Sequence, residues 1–262
     1  MKMSRIVGII SATIIAGGLL SACGDSAPQS PPPPTAKETT KPVAQTAPAK
    51  KVAWPGKSNA VKVASNLTAA NYMIVYDGSG SMRDAACGGS KNSKHAEGLD
   101  ATKTFVTAIP DTANVGLYVF DNRGKGIKVP LGTGNKQKVI AALDNVRTGD
   151  GTPLGTATIT SYKALTAQAQ SQLGYGRYSL VIVTDGAASP HSEANFLPKA
   201  INYVTSKSPI EIHTIGFCLG TQHVLNQPGK TFYASAQSKA DLLAGLKGVL
   251  AEAENVSSAD FK

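Results

Sequence analysis

Cysteine is scarce in this sequence, with three residues in 262, and no two of them are spaced as CxxC, nor is any spaced from a histidine as CxxH. Closely spaced thiols and imidazoles are what structural zinc sites and thiol redox sites need, so the sequence argues against both classes. A GxSxG motif is also missing around Ser79, because Asp77 stands where its first glycine would be. A serine hydrolase of the nucleophile-elbow type is therefore disfavoured.

A concentrated basic patch is absent as well, although the formal net charge is +9. Residues 24–70 carry six lysines against Asp25 and Glu38, whereas residues 71–262 hold 18 basic and 15 acidic side chains. Proteins that bind nucleic acid electrostatically concentrate their excess charge in a patch or stripe. The sequence therefore predicts no nucleic-acid partner, and the basic segment before residue 71 suits an anionic membrane surface.

The N-terminus has the parts of an export signal. Two basic residues precede an apolar run, residues 6–20, that is short for a membrane-spanning helix. The stretch "LLSAC" that follows resembles the lipobox of bacterial lipoprotein signal peptides. This resemblance implies that residues 1–22 are a signal peptide and that Cys23 becomes the lipid-modified N-terminus of the mature chain. The alternative is an uncleaved N-terminal anchor.

The residues after Cys23 predict a location and a tether. Gly24 stands where an aspartate would, in many enteric bacteria, retain a lipoprotein at the inner membrane, so the outer membrane of a bacterial cell envelope is favoured; Asp25 keeps inner-membrane retention open. Residues 23–57 are rich in Pro, Ala and Thr and have no apolar periodicity. Such a segment cannot bury enough surface to offset the entropy of ordering it, so it predicts a disordered tether.

From Asn71 onward, short apolar runs alternate with segments of helical period. The runs are rich in Val, Ile and Tyr, which is typical of parallel strands covered on both faces. They comprise residues 72–77, 115–120, 179–185, 210–217 and 231–234. Apolar residues between and after these runs recur at spacings of three, four or seven, which predicts helices with one buried stripe.

This alternation predicts a doubly wound α/β fold. The expected sheet has six strands and is mostly parallel, with helices on both faces. Pro130 lies inside a further run, residues 127–131, and proline is confined to sheet edges because it cannot donate a ladder hydrogen bond. That run is therefore predicted to be an edge strand.

Three polar loops follow or face the carboxyl ends of the predicted strands. They are "YDGSGSM" at 76–82, the glycine-rich "GDGTPLGT" at 149–156 and "VTDG" at 183–186. Ligands of doubly wound folds bind outside the carboxyl ends of the strands. The loops therefore predict that five oxygen-bearing side chains meet at one edge of the sheet, namely those of Asp77, Ser79, Ser81, Thr152 and Asp185.

The three motifs resemble the metal-ion-dependent adhesion site (MIDAS) of von Willebrand factor A domains, which has DxSxS, a loop threonine and TDG in this order. The resemblance spans residues 70–254 and implies such a domain over residues 58–262, with one antiparallel edge strand in its sheet. It implies that Ser79, Ser81 and Thr152 give hydroxyl oxygens to the metal. Asp77 and Asp185 would act mostly through bridging water or hydrogen bonds. Mg²⁺ is the implied ion, with Mn²⁺ or Ca²⁺ possible, because small hard cations prefer oxygen ligands.

The resemblance also implies what the site binds. Neutral hydroxyl ligands leave the metal electrophilic and one position open, and an Asp or Glu carboxylate of another protein typically fills it. The glycines at 78 and 80 are expected to allow the tight turn that aims both serines at one point. Plain alternatives are that Asp77 caps a turn and that Asp185 with Gly186 forms a turn pair.

The two cysteines other than Cys23 form a possible pair. In an exported protein, Cys87 and Cys218 are natural disulfide partners, and two buried free thiols are the alternative. Among the histidines, only His191 is expected near the site, as a solvated loop residue rather than a base or ligand.

The sequence as a whole predicts a protein that is not an enzyme. It predicts a lipid-anchored recognition module, either an adhesin or an envelope assembly factor, that binds an acidic side chain of a protein ligand through a divalent metal. The alternative is an accessory or chaperone subunit of an envelope enzyme or metal-insertion complex that uses the same site. A third interpretation, a structural envelope protein with an empty site, is disfavoured because every position of the motif is present.

Overall fold

The computed structural model of the protein describes residues 54–56 and 62–254. The predicted signal peptide, the predicted lipidation site Cys23 and most of the predicted tether lie outside these residues. None of the helices in the described ranges is both long and apolar enough to cross a membrane.

The described residues form six strands and five helices, with one short 3-10 helix at Gly80–Arg83. The strands are β1 (Ala70–Asp77), β2 (Asn114–Asp121), β3 (Gly124–Gly132), β4 (Arg177–Thr184), β5 (Glu211–Phe217) and β6 (Phe232–Ala236). The helices are α1 (Lys94–Ala108), α2 (Lys136–Asp144), α3 (Leu154–Ser171), α4 (His191–Lys207) and α5 (Lys239–Glu254).

The strands form one sheet in the order β3-β2-β1-β4-β5-β6. All neighbouring strands are parallel except β2 and β3, which pair antiparallel. The edge strand β3 contains Pro130, as the sequence predicts. The doubly wound, mostly parallel α/β fold is therefore confirmed, including its antiparallel edge strand.

Two apolar cores lie on opposite faces of the sheet, because successive side chains of a strand point to opposite sides. On β1, Tyr72, Ile74 and Tyr76 belong to the core that α1, α2 and α5 cover. Met73 and Val75 belong to the core beneath α3 and α4. Strand β1 is thus buried on both faces, which holds its carboxyl end rigidly in the middle of the sheet.

The first described residues contact the domain rather than extending away from it. The Trp54 ring lies 5.0 Å from that of Tyr178, measured between centroids, and its indole nitrogen donates to the Thr166 hydroxyl at 3.3 Å. Gln170 donates to the Pro55 carbonyl at 3.3 Å. Trp54 and Pro55 belong to residues 23–57, the segment that the sequence predicts to be a disordered tether. These two residues thus contact the domain.

Candidate metal centre

The candidate site lies where the strand order changes direction, at the carboxyl ends of β1 and β4. These strands pair in parallel up to Tyr76 and Val183, so Asp77 and Thr184 emerge at the same level of the sheet. Strand β2 flanks β1 on the other side. Doubly wound folds bind ligands at this point because the loops on the two sides diverge and leave a crevice.

Asp77 is fully buried and organises the first loop. Its Oδ1 atom accepts a hydrogen bond from the Ser79 amide at 2.7 Å, and its Oδ2 atom accepts one from the Thr184 hydroxyl at 2.5 Å. Burial raises the pKa of Asp77 to about 6, although these hydrogen bonds oppose the shift. Both carboxylate oxygens therefore hold neighbouring residues in place, which agrees with a supporting role beside the hydroxyl donors.

Three oxygen atoms from two loops form a continuous chain above Asp77. The Ser79 and Ser81 hydroxyl oxygens lie 3.2 Å apart, and Ser81 donates to Asp185 Oδ1 at 2.8 Å. Ser79 and Asp185 are buried, with 1% and 5% of their surfaces exposed. The DxSxS and TDG motifs, 104 residues apart between Ser81 and Asp185, are thus in direct contact.

Thr152 lies in a loop that is bonded to both of the others. Gly149 donates its amide hydrogen bond to the Gly78 carbonyl at 2.8 Å, and Gly80 donates to the Asp150 carbonyl at 3.1 Å. Thr152 donates its own amide to the Ser189 hydroxyl at 2.9 Å, and the Ser189 amide donates to the Thr152 carbonyl at 2.9 Å. The structure therefore brings all five predicted site residues to one sheet edge.

Residues 72–187 match a family model described as von Willebrand factor type A domain. The match runs from β1 to the TDG turn and so contains all three motifs. The fold is that of a von Willebrand factor type A domain. A comparison with curated proteins gave no match.

Solved structures of similar fold come from diverse organisms. The pilus adhesin SpaC from Lactobacillus rhamnosus GG has 17% identity, covers 73% of this chain and 31% of its own, and superimposes with a TM-score of 0.55. Manganese-loaded TRAP protein from Plasmodium vivax has 16% identity over 70% of this chain and 73% of its own, with a TM-score of 0.51. These likenesses establish the fold alone.

A third similar structure is proximal thread matrix protein 1 from the mussel byssus, with a zinc-occupied MIDAS motif. It has 16% identity, covers 70% of this chain and 47% of its own, and superimposes with a TM-score of 0.55. This chain therefore spans about a third of the length of the pilus adhesin and about half of that of the byssus protein.

The donor chemistry of the candidate site fits a hard dication. The site combines serine and threonine hydroxyls with two buried carboxylates, and oxygen ligands of this kind suit Mg²⁺ or Mn²⁺. Across residues 54–56 and 62–254, no group of three or more His, Cys, Asp and Glu side chains is arranged to hold a metal. The hydroxyls are thus essential to any metal binding here, and the residues present fit the ion that the MIDAS resemblance implies.

The two loop glycines of the first motif differ from the sequence expectation. Neither Gly78 nor Gly80 has a backbone conformation in the left-handed region that favours glycine. A Cβ atom at Gly78 would instead lie 2.8 Å from the Phe120 carbonyl oxygen and 2.8 Å from Val146 Cγ1. Gly78 is required for close packing of the loop against β2, whereas a Cβ atom at Gly80 would meet only ordinary contacts.

The structure adds site neighbours that sequence reasoning missed. Lys94 donates to Asp185 Oδ2 at 2.9 Å, and His223 Nε2 lies 3.2 Å from the Gly186 carbonyl oxygen. The position of Thr184 could have been predicted from the sequence, because this residue immediately precedes Asp185 in the TDG motif. No sequence motif indicates Lys94 or His223, since each comes from a distant part of the chain. His191, the histidine expected near the site, is the first residue of α4.

Glu193 is a further missed residue, and it supports Thr152 indirectly. Helix α3 begins two residues after Thr152, and Pro153 at its N-cap offers no side-chain hydrogen bond. Glu193 of α4 accepts the Thr156 amide at 2.9 Å and also contacts the Thr156 hydroxyl. A carboxylate at a helix N-terminus satisfies free amides and interacts favourably with the helix dipole. Glu193 thereby stabilises the helix that carries the threonine loop.

A disulfide fastens the segment that follows the first motif. Cys87 and Cys218 are bonded, with 5.6 Å between their Cα atoms. Cys218 directly follows β5, and its amide donates to the Ala236 carbonyl at 2.7 Å. The bond therefore joins the segment between the 3-10 helix and α1 to the ends of β5 and β6.

Proposed function

We propose that this chain binds another protein through a divalent metal ion held at the MIDAS-like site, and that it does so from a lipid anchor in a bacterial cell envelope. The observation that carries the proposal is the chain of oxygen atoms from Ser79 through Ser81 to Asp185 at the carboxyl edge of the sheet. Three separate loops meet at this edge of the sheet. Ordinary turns do not require hydroxyl and carboxylate side chains from different loops to lie together.

Each residue has a distinct task in this proposal. Ser79, Ser81 and Thr152 would hold the ion with their hydroxyl oxygens, while Asp77 and Asp185 would orient the donors and offset part of its charge. When bound, the ion supplies an electrophilic centre that attracts an anionic oxygen. Ser79 and Ser81 hydrogen-bond to each other and Ser81 to Asp185, which is the arrangement of a ligand set rather than of a nucleophile with its base. We therefore propose recognition and not catalysis.

The proposed partner presents an Asp or Glu side chain to the metal. A cleft of about 260 Å³ adjoins the threonine loop. It is lined by Asp150, Gly151 and Pro153, which flank Thr152 in the chain, and by Ser189. Phe120 and Pro190 add apolar surface to the same cleft. A partner segment that places a carboxylate on the metal can therefore place a neighbouring side chain in this cleft.

The names of similar structures are in accord with the proposal. One is a pilus adhesin, one is manganese-loaded and one has a zinc-occupied MIDAS motif. We propose Mg²⁺ for this chain because its donors are all oxygen atoms and because the ion is the hard dication that such donors favour. The lipid anchor at Cys23 and the outer-membrane location rest on the "LLSAC" stretch and on Gly24.

Calorimetric titration with MgCl₂ tests the metal site. We expect Thr152→Ala to weaken Mg²⁺ binding because it removes one oxygen donor, and Asp185→Ala to weaken it by about 10- to 100-fold, as supporting groups of metal sites do. Thr104→Ala is a matched control, since the Thr104 hydroxyl only donates to the Asp100 carbonyl of its own helix. Equal Mg²⁺ affinities for all three variants and wild type would show that the loops are only turns.

Partner binding is tested by affinity capture from solubilised envelope, with Mg²⁺ or with EDTA. Proteins that wild type retains only with Mg²⁺, and that Thr152→Ala does not retain, are the expected partners. Added acetate should reduce their retention because it competes for the open position of the metal. Retention that is the same with EDTA and in Thr152→Ala would contradict metal-dependent recognition.

A further inference from the structure

Lys94 places a positive charge directly against the candidate metal site. Its ammonium group lies 2.9 Å from Asp185 Oδ2, while Ser81 occupies the other carboxylate oxygen at 2.8 Å. The Asp185 side chain is fully buried, and that of Lys94 is 15% exposed. Both oxygens of Asp185 therefore already have partners, and one of those partners is a cation.

The backbone holds Lys94 in this position. Ser93 caps α1 by accepting the Ala96 amide at 3.1 Å, and the Lys94 amide donates to the Asp84 carbonyl at 2.9 Å. A bridge between Ala85 and Ser93 closes the intervening segment, which the Cys87 disulfide fastens. A helix start that is fixed on both sides directs the lysine at the TDG turn, so the ion pair is a built feature and not a chance surface contact.

A second carboxylate lies within reach of the same ammonium group. Asp84 Oδ2 is 3.8 Å from Lys94 Nζ, and the Asp84 side chain is 68% exposed. Lys94 thus lies between a buried carboxylate, Asp185, and an exposed one. A small movement of the flexible lysine stem would exchange the first partner for the second.

We propose that Lys94 competes with the metal ion for Asp185 and moves to Asp84 when the ion binds. The inference rests on the proposed function, because it concerns the regulation of the same site. With Lys94 at Asp185, the group of Lys94, Asp77 and Asp185 has a formal charge of −1 when both carboxylates are ionised, instead of −2. A dication is attracted less strongly to such a group, and the ammonium group repels it directly.

The consequence is a site that binds a free dication weakly and depends on its partner. A partner carboxylate adds a negative charge at the metal and also meets the displaced Lys94 ammonium at the rim of the site. Metal and partner therefore strengthen each other's binding, since the carboxylate offsets the repulsion that Lys94 exerts on the ion.

Calorimetric titration with MgCl₂, and with MnCl₂ as a second probe, tests this inference on the full chain with its disulfide intact. We expect Lys94→Gln, which keeps a hydrogen-bond donor but removes the charge, to bind Mg²⁺ about tenfold more tightly than wild type, because the repulsion between the ammonium group and the dication is removed. Lys94→Arg keeps the charge and should retain wild-type affinity. Lys103→Gln is the matched control, because Lys103 lies on the same helix and pairs with Asp144.

Asp84→Asn gives an independent test at an exposed position where the fold is not at risk. Removing the alternative partner should leave Lys94 on Asp185 and weaken Mg²⁺ binding, the opposite sign to Lys94→Gln. Circular dichroism and urea midpoints verify that each variant is folded. Equal or weaker Mg²⁺ binding by Lys94→Gln overturns the inference while the proposed function stands. Absence of Mg²⁺ binding in wild type and in every variant overturns the proposed function itself.

Discussion

Thr184 donates a hydrogen bond from its hydroxyl group to Asp77 Oδ2 across two adjacent strands, with 2.5 Å between the oxygen atoms. Both side chains are fully buried. The bond links β4 to β1 directly beneath the candidate metal centre, and the Ser79 amide holds the other oxygen of the same carboxylate. Asp77 thereby couples the stability of the central strands to the geometry of the first loop.

Replacing Thr184 by valine should destabilise the protein. Valine keeps the shape of threonine but leaves a buried carboxylate without one of its hydrogen bonds, and hydrogen bonds to charged groups contribute about 1.5–3 kcal/mol. Urea unfolding at pH 7 measures the loss. Thr102→Val is the matched control, because the Thr102 hydroxyl is buried without a hydrogen-bond partner in the described part of the chain. If both valine variants unfold at the same urea concentration, the bond to Asp77 contributes nothing.

Gly78→Ala should destabilise the fold, whereas Gly80→Ala should not. A Cβ atom at Gly78 would lie 2.8 Å from the Phe120 carbonyl oxygen, so the loop or β2 must shift. Overpacking of this kind typically costs about 1–3 kcal/mol. At Gly80 the nearest atoms would be 3.5 and 3.7 Å away. Urea midpoints compare the two, and a Gly78→Ala protein as stable as Gly80→Ala would refute the packing role.

The Cys87–Cys218 disulfide should stabilise the protein by constraining the unfolded chain. The bond closes a loop of 131 residues, for which the chain-entropy model gives at most about 5 kcal/mol. We expect the reduced protein, and the Cys87→Ser, Cys218→Ser double variant, to unfold at a lower urea concentration than the oxidised wild type. Mass spectrometry of unreduced tryptic peptides should detect the disulfide-linked pair. Two free thiols in those peptides would contradict the assignment.

His95 should make stability fall in mild acid. Burial lowers the pKa of His95 below its usual value of about 6.5, and the charge of Lys103 lowers it further. The unfolded chain therefore takes up a proton first as pH falls below 6.5, so the contribution of neutral His95 is present above that pH and is lost as pH falls through the lower folded-state pKa.

The comparison of wild type with His95→Asn at pH 7.5 and pH 5 isolates this contribution. The Tyr76 hydroxyl lies 3.2 Å from His95 Nδ1, and asparagine can replace the hydrogen bond without titrating. We expect the urea midpoint of wild type to fall more between the two pH values than that of the variant. Parallel decreases in both proteins would exclude His95 as the cause.

Cys23→Ser should abolish lipid attachment. The thiol of this cysteine is the predicted acylation site, and signal-peptide processing at a lipobox requires it. Labelling of growing cells with a fatty-acid analogue, followed by electrophoresis, measures both the label and the size of the product. Cys87→Ser is the control and should remain labelled. Unchanged labelling of Cys23→Ser would remove the lipid anchor from the proposed function.

The strands and helices could be predicted from the sequence because their signals are local. The continuous apolar run at β1 and the four-residue spacing of Leu242 and Leu246 in α5 each depend only on which faces of an element are buried. The meeting of Ser81 with Asp185 could also be predicted, since parallel strands bring their carboxyl ends to one edge. The sequence alone thus determined the fold class, and it predicted which five side chains lie at the candidate site, namely Asp77, Ser79, Ser81, Thr152 and Asp185.

Only the tertiary structure decided what surrounds those five residues. Lys94 and Glu193 carry no motif, and their positions depend on how α1 and α4 pack against the sheet. The same packing explains why Gly78 must lack a side chain, and it brings Cys87 within 5.6 Å of Cys218, where the sequence left a disulfide and two free thiols open. Ligand types follow from local chemistry, whereas charges and contacts beside the ligands depend on elements that are distant along the chain and meet only on folding.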